Sequence, residues 1–298
     1  MTEVCAVVVT YNRFEFLKKC LASLKAQSVP CDILVINNAS TDGTAEFLDA
    51  SSDIFHIHLE ENTGGAGGFN TGMREAVNRG YRYVWVMDDD TMPHPDALEK
   101  LLEADRILDG RYGWLSSLPL WTDGKICRMN RQKLSRYVLE DISFLRCGLL
   151  RSKQATFVGL FLKREMILKA GLPIREFFIW GDDIEFTRRL AIRRKEPCYI
   201  AGQSIAVHAM KENCGSNIAL DGAERLERYN YAFRNENFLF RKEGICGFLY
   251  YFAKCGKNIA CSLVQAKDHR AKRVWIIIKQ MILGLFFNPT IEFVEETS

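Results

Sequence analysis

The sequence predicts an α/β fold: a doubly wound, mixed but mostly parallel sheet flanked by helices, followed by a helical tail. Three observations carry this. Continuous β-branched runs, as expected of strands covered on both faces, alternate with stretches of helical spacing. Polar and glycine-rich loops follow the runs, where the carboxyl edge of an open sheet gathers them. The 298 residues, 48% of them apolar, suffice for one large core without staples.

In order, VCAVVV (4–9) reads as a strand and 13–27 as a helix, with Phe16, Leu17, Cys20, Leu21 and Leu24 on one stripe. CDILVIN (31–37) is a second strand, ending in the loop NNASTDGT that leads into 45–48. A third strand is expected at 54–59, a helix at 69–78, a fourth strand at 83–87 and a helix at 96–108. Strand alternating with helix is the pattern of a parallel sheet. Past Tyr112 the pattern loosens. Asp123-Gly124 marks a hairpin turn, 155–162 a strand, 184–193 a helix, 198–207 a strand and 226–241 a helix. The expected organisation is a catalytic domain over 1–243, divided into halves 1–110 and 111–243, and a basic amphipathic tail over 244–298.

The net charge of +3 excludes no class, but its distribution is uneven. Between 241 and 279 nine Lys and Arg face only Glu243 and Asp268, a local +7 that leaves about −4 for the rest. The ten cysteines form no paired metal spacing and several lie in apolar runs, so they are expected to be reduced packing residues of a cytoplasmic protein. The amino terminus starts at once on a strand pattern, so no signal peptide is expected. No apolar run reaches the ~20 residues a membrane span needs.

Four loops hold the chemistry-bearing residues. YVWVMDDDT (83–91) runs an apolar strand into Asp88, Asp89 and Asp90. Crowded carboxylates repel one another and each resists losing water, and a hard divalent cation offsets that cost. An extended backbone would send Asp88 and Asp90 to one side and Asp89 to the other. NTGGAGGFNTG (62–72) has five glycines but fails the G-x-G-x-x-G spacing at Asn70. It reads as backbone lying close to a ligand before a helix, with Gly65 at the approach and Arg74 within reach of a phosphate. FFIWGDDIEF (177–186) puts Asp182, Asp183 and Glu185 at a helix opening behind an aromatic wall that includes Trp180. Capping explains acids there, but the wall also suits a general base in a partly dry cleft. His208, after a late strand, is on spacing alone a structural residue more often than a ligand.

Together, VVVTYNR, VINNASTDGT, NTGGAGGFNTG, VWVMDDDT and FIWGDDIEF resemble, in order, the motifs of family 2 inverting glycosyltransferases of the GT-A fold. The glycine loop, triple Asp and WGDDIE look most like bacterial galactofuranosyltransferases, with rhamnosyltransferases next. The resemblance spans roughly 4–208. It implies transfer of a sugar from a nucleotide diphosphate with Mn²⁺ or Mg²⁺. It makes Asp88, Asp90 and His208 metal ligands, Asp183 the base, and Asp182 and Glu185 its flanking acids. Thr10, Arg13, Asn37, Asp42, Gly65, Arg74 and Asp89 fall on the donor side, and Trp180 on the acceptor side. Asn37 stands where the family often has an acid that contacts the nucleoside; an amide there can still pair with a uracil or ribose edge but specifies the donor's nucleobase less closely.

The implied donor is a UDP-sugar, with UDP-galactofuranose ahead of dTDP-rhamnose. A sugar nucleotidyltransferase and a silent sugar-nucleotide scaffold are the alternatives from other classes. The first would need a triphosphate-binding signature that the first strand lacks. HRAKRVWIIIKQMILGLFF (269–287) joins cations to an aromatic-anchored apolar stretch. It suits a helix on an anionic membrane and an acceptor glycan carried on a lipid, at the inner face of the plasma membrane. Nucleic acid is not expected as a partner.

Overall fold

A computed structural model describes residues 2–295. Strands β1 (Val4–Thr10), β2 (Asp32–Asn37), β3 (Phe55–His58) and β4 (Tyr83–Asp88) form a parallel block in the order β3-β2-β1-β4. The sheet continues through later strands in mixed sense. β9 (Leu160–Lys163) runs antiparallel to β4 and to β6 (Leu115–Leu120), and β10 (Tyr199–His208) runs parallel to β6. β8 (Leu149–Gln154) and the two-residue β7 (Lys133–Leu134) close the far edge.

Strand alternation divides the core. Val4, Ala6 and Val8 of β1 join one cluster with Leu17, Leu21 and Leu24 of α1 (Phe14–Lys25) and Leu98 and Leu101 of α4 (Ala97–Ile107). Cys5, Val7 and Val9 face the other way, onto Phe69, Met73 and Val77 of α3 (Gly64–Asn78). The short helices α2 (Thr44–Asp49), α5 (Ile142–Arg146) and α6 (Arg164–Ala170) complete the layers. α7 (Asp182–Arg188) continues as a π-helical turn over Arg189–Arg193. α8 (Tyr229–Lys242), α9 (Ile245–Gln265) and α10 (Arg270–Phe286) pack around Phe233, Tyr251, Ile276 and Ile277. That cluster runs across the boundary expected near 243.

The structure corrects two elements. Of the strand expected at 155–162 only the end, β9 from Leu160, is strand; 155–159 is a loop between β8 and β9, where Gly159 adopts φ +75° and turns the chain. The glycine-rich segment is no loop. Helix α3 begins at Gly64, five residues before the expected start. Its glycines bring backbone onto the sheet. A Cβ on Gly68 would lie 2.5 Å from Val9 Cγ1, and one on Gly72 would lie 2.4 Å from Val7 Cγ1. Helix glycines cost about 0.5–1 kcal/mol each, and close packing on β1 offsets that loss.

Candidate active site

The parallel block delivers its loops to one edge. Val9 of β1 pairs with Asp88 of β4, so the first loop and the aspartate run emerge side by side. Side chains stitch the loops together. Asn12 Oδ1 accepts Thr41 N–H at 2.7 Å, and Asp42 Oδ2 accepts Phe14 N–H at 3.0 Å. Buried Asn38 accepts Thr63 N–H at 2.8 Å and donates to Gly64 O at 2.9 Å, tying the second loop to the start of α3.

Asp89 and Asp90 lie in a turn rather than an extended strand, which departs from the expected alternation. The turn leads into β5 (Thr91–Pro93), and Arg13 reaches both carboxylates: Asp89 Oδ1 at 3.5 Å, and Asp90 Oδ2 in a closer ion pair. Thr10 Oγ1 donates to Asp89 Oδ2 at 2.7 Å. Burial and the neighbouring Asp90 push Asp89 up to about 6, against Arg13 and Thr10.

β5 pairs antiparallel with β10, setting His208 opposite Thr91. This register brings His208 Nε2 to 2.9 Å from Asp90 Oδ1. Burial alone would raise Asp90, but His208 and Arg13 overcome it and hold the carboxyl below its ordinary range. Burial disfavours a charged His208 ring, yet Asp90, Cys127 and Asp88 raise it to about 10. His208 Nδ1 contacts Asn130 Oδ1 at 2.6 Å, and Asn130 donates to Thr156 Oγ1 at 3.0 Å. Asn130 therefore fixes a proton on Nδ1 and turns Nε2 toward Asp90.

Despite that proximity, buried Asp90 Oδ1 has no aligned hydrogen-bond donor. Asp90 Oδ1 and His208 Nε2, 2.9 Å apart, are oxygen and nitrogen donors of the kind that take a divalent ion; the Asp88 carboxyl interacts electrostatically with both but does not gather with them into a compact three-atom set. The residues therefore fit the cation that the resemblance implies.

Helix α7 opens with Asp182 and Asp183. Asp183 Oδ1 accepts Ile184 N–H at 2.7 Å. Burial and then Asp183 raise Asp182; burial, and more weakly Asp88, lift Asp183 to about 7. Asp88 is itself raised, by burial first, then by Asp90, with Asp182 also contributing. The carboxyls at the ends of β4 and α7 thus share one electrostatic environment, and a group there can hold or accept a proton near neutrality.

Three expected site residues lie differently. Glu185 is 2% exposed and is grasped by Arg189, Nε 3.1 Å from each carboxylate oxygen, and by Arg193 at 3.3 Å. Arg189 sits four residues on along the same stripe, so Glu185 is a buried structural ion pair and not an acceptor-facing acid. Arg74 pairs with Glu292. Because α3 begins at Gly64, Arg74 lies ten residues in, about 15 Å along the helix rather than one turn. Asn37 spends its amide internally, accepting Ser40 N–H at 3.0 Å and contacting His58 Nδ1 at 2.9 Å. Gly65 is half-buried at the start of α3 with open space for a Cβ, meeting only Phe69 at 3.9 Å. Trp180 packs edge-on against Tyr229 at 4.9 Å, with Arg225 over its ring at 5.7 Å.

A second cluster, Asp49, His56 and His58, gathers at the β3 edge, both imidazole Nε2 atoms 3.1 Å from Asp49 Oδ1. It is largely exposed, and hydrogen bonds within the cluster account for it.

Asn130 was not legible as a site residue, being a single amide outside any motif; Asn38 lies within NNASTDGT but nothing in the sequence singled it out there. Asn235 left a fainter signal: a polar residue among the aromatics of α8.

Residues 5–107 match the family described as Glycosyl transferase family 2. The chain is 25% identical to galactofuranosyltransferase GlfT1 of Mycolicibacterium smegmatis, across 93% of this chain and 95% of that protein. It is 31% identical to galactofuranosyltransferase GlfT1 of Mycobacterium tuberculosis over 206 residues, 64% of this chain and 65% of that one. A solved structure, GalNAc-T7 with UDP, GalNAc and Mn²⁺, matches with a TM-score of 0.64 at 12% identity, over 93% of this chain and 54% of its own. That likeness shows a shared GT-A-like fold.

Proposed function

We propose that the chain, a glycosyltransferase whose residues 5–107 match Glycosyl transferase family 2, is an inverting, divalent-metal-dependent galactofuranosyltransferase. In this reading UDP-galactofuranose is the donor and a lipid-linked glycan of a cell-surface polysaccharide is the acceptor. What supports it is that the acids of two segments influence one another: Asp88, which also interacts with Asp90 and His208, is raised by Asp182 and in turn raises Asp183. The relatives named galactofuranosyltransferase support the sugar.

Asp88, Asp90 Oδ1 and His208 Nε2 would hold Mn²⁺ or Mg²⁺. When bound, the ion supplies positive charge that neutralises the leaving diphosphate. Asp183 takes the proton of the acceptor hydroxyl. The acceptor oxygen bonds to the anomeric carbon as the bond from that carbon to the diphosphate oxygen breaks, and UDP leaves with the electron pair. One displacement inverts the centre. Arg13, already spanning Asp89 and Asp90, holds a cation at the donor side. Thr10 keeps Asp89 oriented. Trp180 forms the acceptor-side wall.

Peripheral contact with the inner face of the plasma membrane belongs to the same reading. No described helix is long and apolar enough to cross a membrane. Helices α9 and α10 nevertheless expose Leu249, Val264, Trp275, Ile282 and Phe286 among lysines such as Lys257, Lys272 and Lys279. Apolar stripes interrupted by cations suit an anionic lipid surface.

The test is UDP release by the full chain with a lipid-linked acceptor, across UDP-galactofuranose, UDP-galactopyranose and dTDP-rhamnose, with Mn²⁺ or EDTA. Turnover with UDP-galactofuranose that EDTA abolishes is expected. Turnover indifferent to EDTA refutes the metal assignment, and preference for dTDP-rhamnose refutes the donor.

A further inference from the structure

The loop that delivers Asp182 and Asp183 is strained. Phe178 has φ +62° and ψ −64°, Trp180 φ +63° and Gly181 φ +93°. Ile179 N–H donates to Phe177 O at 2.7 Å, so Phe178 is the centre of a three-residue turn in its rare positive-φ form. A bulky side chain at such a φ is an outlier that persists only where its surroundings force it.

The surroundings are two helices. On the donor side, Phe178 O accepts Ala66 N–H at 3.1 Å from the first turn of α3. A Cβ on Gly64 would lie 2.0 Å from that same oxygen, so only glycine admits the approach. On the other side stands Asn235, fully buried in the middle of α8. Its Nδ2 donates to Phe177 O at 2.9 Å, Trp180 O at 2.8 Å and Ile179 O at 3.2 Å. Its Oδ1 accepts from Arg234 Nε at 3.1 Å and Nη2 at 2.9 Å. Arg234 Nη2 also donates to Glu176 O at 2.6 Å. The guanidinium therefore fixes which way the amide faces, and both amide hydrogens go to the loop.

We propose that Asn235 is a positioning residue of the transfer reaction: its amide, oriented by Arg234, clamps the Phe177, Ile179 and Trp180 carbonyls in the strained shape that sets the placement of Asp182 and Asp183 relative to Asp88. The inference rests on Asp183 being the base. Gly181 alone separates the last clamped carbonyl from Asp182, so rotation at Trp180 passes straight to the carboxyls. A separate link, Arg188 to Glu243 with contacts of 2.7 and 2.6 Å, holds the far end of α7 to the residue that closes α8. That link fixes the body of α7; Asn235 fixes its entry. The clamp uses donors only, so it differs from packing. A carboxylate of the same shape would fill the space and repel the three carbonyls.

The test uses the full chain with Mn²⁺, donor and lipid-linked acceptor, comparing Asn235→Ala, Asn235→Asp, Arg234→Ala and Asp183→Asn. Both Asn235 variants are expected to bind UDP within about 2-fold of the parent, to change donor KM by less than about 3-fold and to lose roughly 100-fold in kcat, the scale of a 1 Å misplacement. The acid limb of the Asn235→Ala pH profile should move down as Asp183 leaves its crowded setting. Wild-type kcat in Asn235→Asp, or equal losses of UDP binding and kcat in both variants, overturns the proposal. If the Asn235 variants do not fold, Arg234→Ala decides: about 3- to 10-fold lower kcat with unchanged UDP binding supports the clamp, and unchanged kcat refutes it. An active Asp183→Asn overturns the base assignment, and this inference with it. An inactive Asp183→Asn beside an unimpaired Asn235→Asp defeats the clamp alone.

Discussion

His208 Nε2 lies 2.9 Å from Asp90 Oδ1, joining the end of β10 to the turn after β4. Asn130 Oδ1 holds the other ring nitrogen, Nδ1, at 2.6 Å. Removing that partner frees the imidazole to rotate without touching a ligand atom. Asn130→Ala should weaken Mn²⁺ binding about 10- to 100-fold by calorimetry, with an unchanged circular dichroism spectrum. Undiminished affinity would show that the amide does not orient the ring.

The pH behaviour follows from α7. Asp183 is lifted to about 7, chiefly by burial. A base with that value is protonated in mild acid, so kcat should rise with pH through about 7 and flatten above it. A rate flat between pH 5 and 8 would remove Asp183 from the role.

The same acids affect stability. Burial raises Asp182 and Asp183 above the ordinary carboxylate range, so the folded chain binds more protons than the unfolded one. The contribution of these two acids to stability without metal then falls as pH rises from about 4 to about 8. Asp182→Asn removes one of these acids. It should raise Tm at pH 8 by roughly 2–6 °C and leave it nearly unchanged below the unfolded carboxylate pKa. A lower Tm at pH 8 would contradict the strain assigned to this carboxyl.

Glu185 offers a contrast. Replacing it with Gln leaves Arg189 buried without its counter-charge, a loss on the order of 3–5 kcal/mol. Glu185→Gln should therefore unfold at clearly lower temperature, while its folded fraction keeps kcat within about 3-fold. A large drop in kcat at unchanged Tm would restore Glu185 to the site.

The glycines of α3 divide by what lies above them. Gly68→Ala would drive a methyl to 2.5 Å from Val9, and Gly72→Ala to 2.4 Å from Val7. Each should cost about 1–3 kcal/mol, read as a lower Tm. Gly65→Ala meets only Phe69 at 3.9 Å and should leave Tm level or raise it. Weaker UDP binding in Gly65→Ala at unchanged Tm would agree with a donor contact there; unchanged binding would remove Gly65 from the donor side.

Much of this arrangement was legible from residue order. Continuous apolar runs announced β1, β2 and β4, because a strand buried on both faces leaves no polar positions. Three aspartates at a strand end, and two more at a helix opening, marked the acids whose charges collide. What sequence reasoning misplaced was set by neighbours it could not see. Five glycines looked like a loop because glycine is a poor helix former, yet the sheet beneath α3 rewards close approach. Glu185 looked catalytic beside two acids until Arg189 and Arg193 closed on it. Arg74 looked near a phosphate because the start of its helix was placed five residues late.

The sequence by itself determined the α/β alternation, the edge where its loops gather and the acids those loops carry, since periodicity and local charge are properties of residue order. Tertiary structure alone decided which acids influence one another. Register between β5 and β10 brought His208 to Asp90, and buried amides on distant segments oriented His208 and the entry to α7. Contacts between residues far apart in the chain depend on how the elements pack, and no local pattern encodes that.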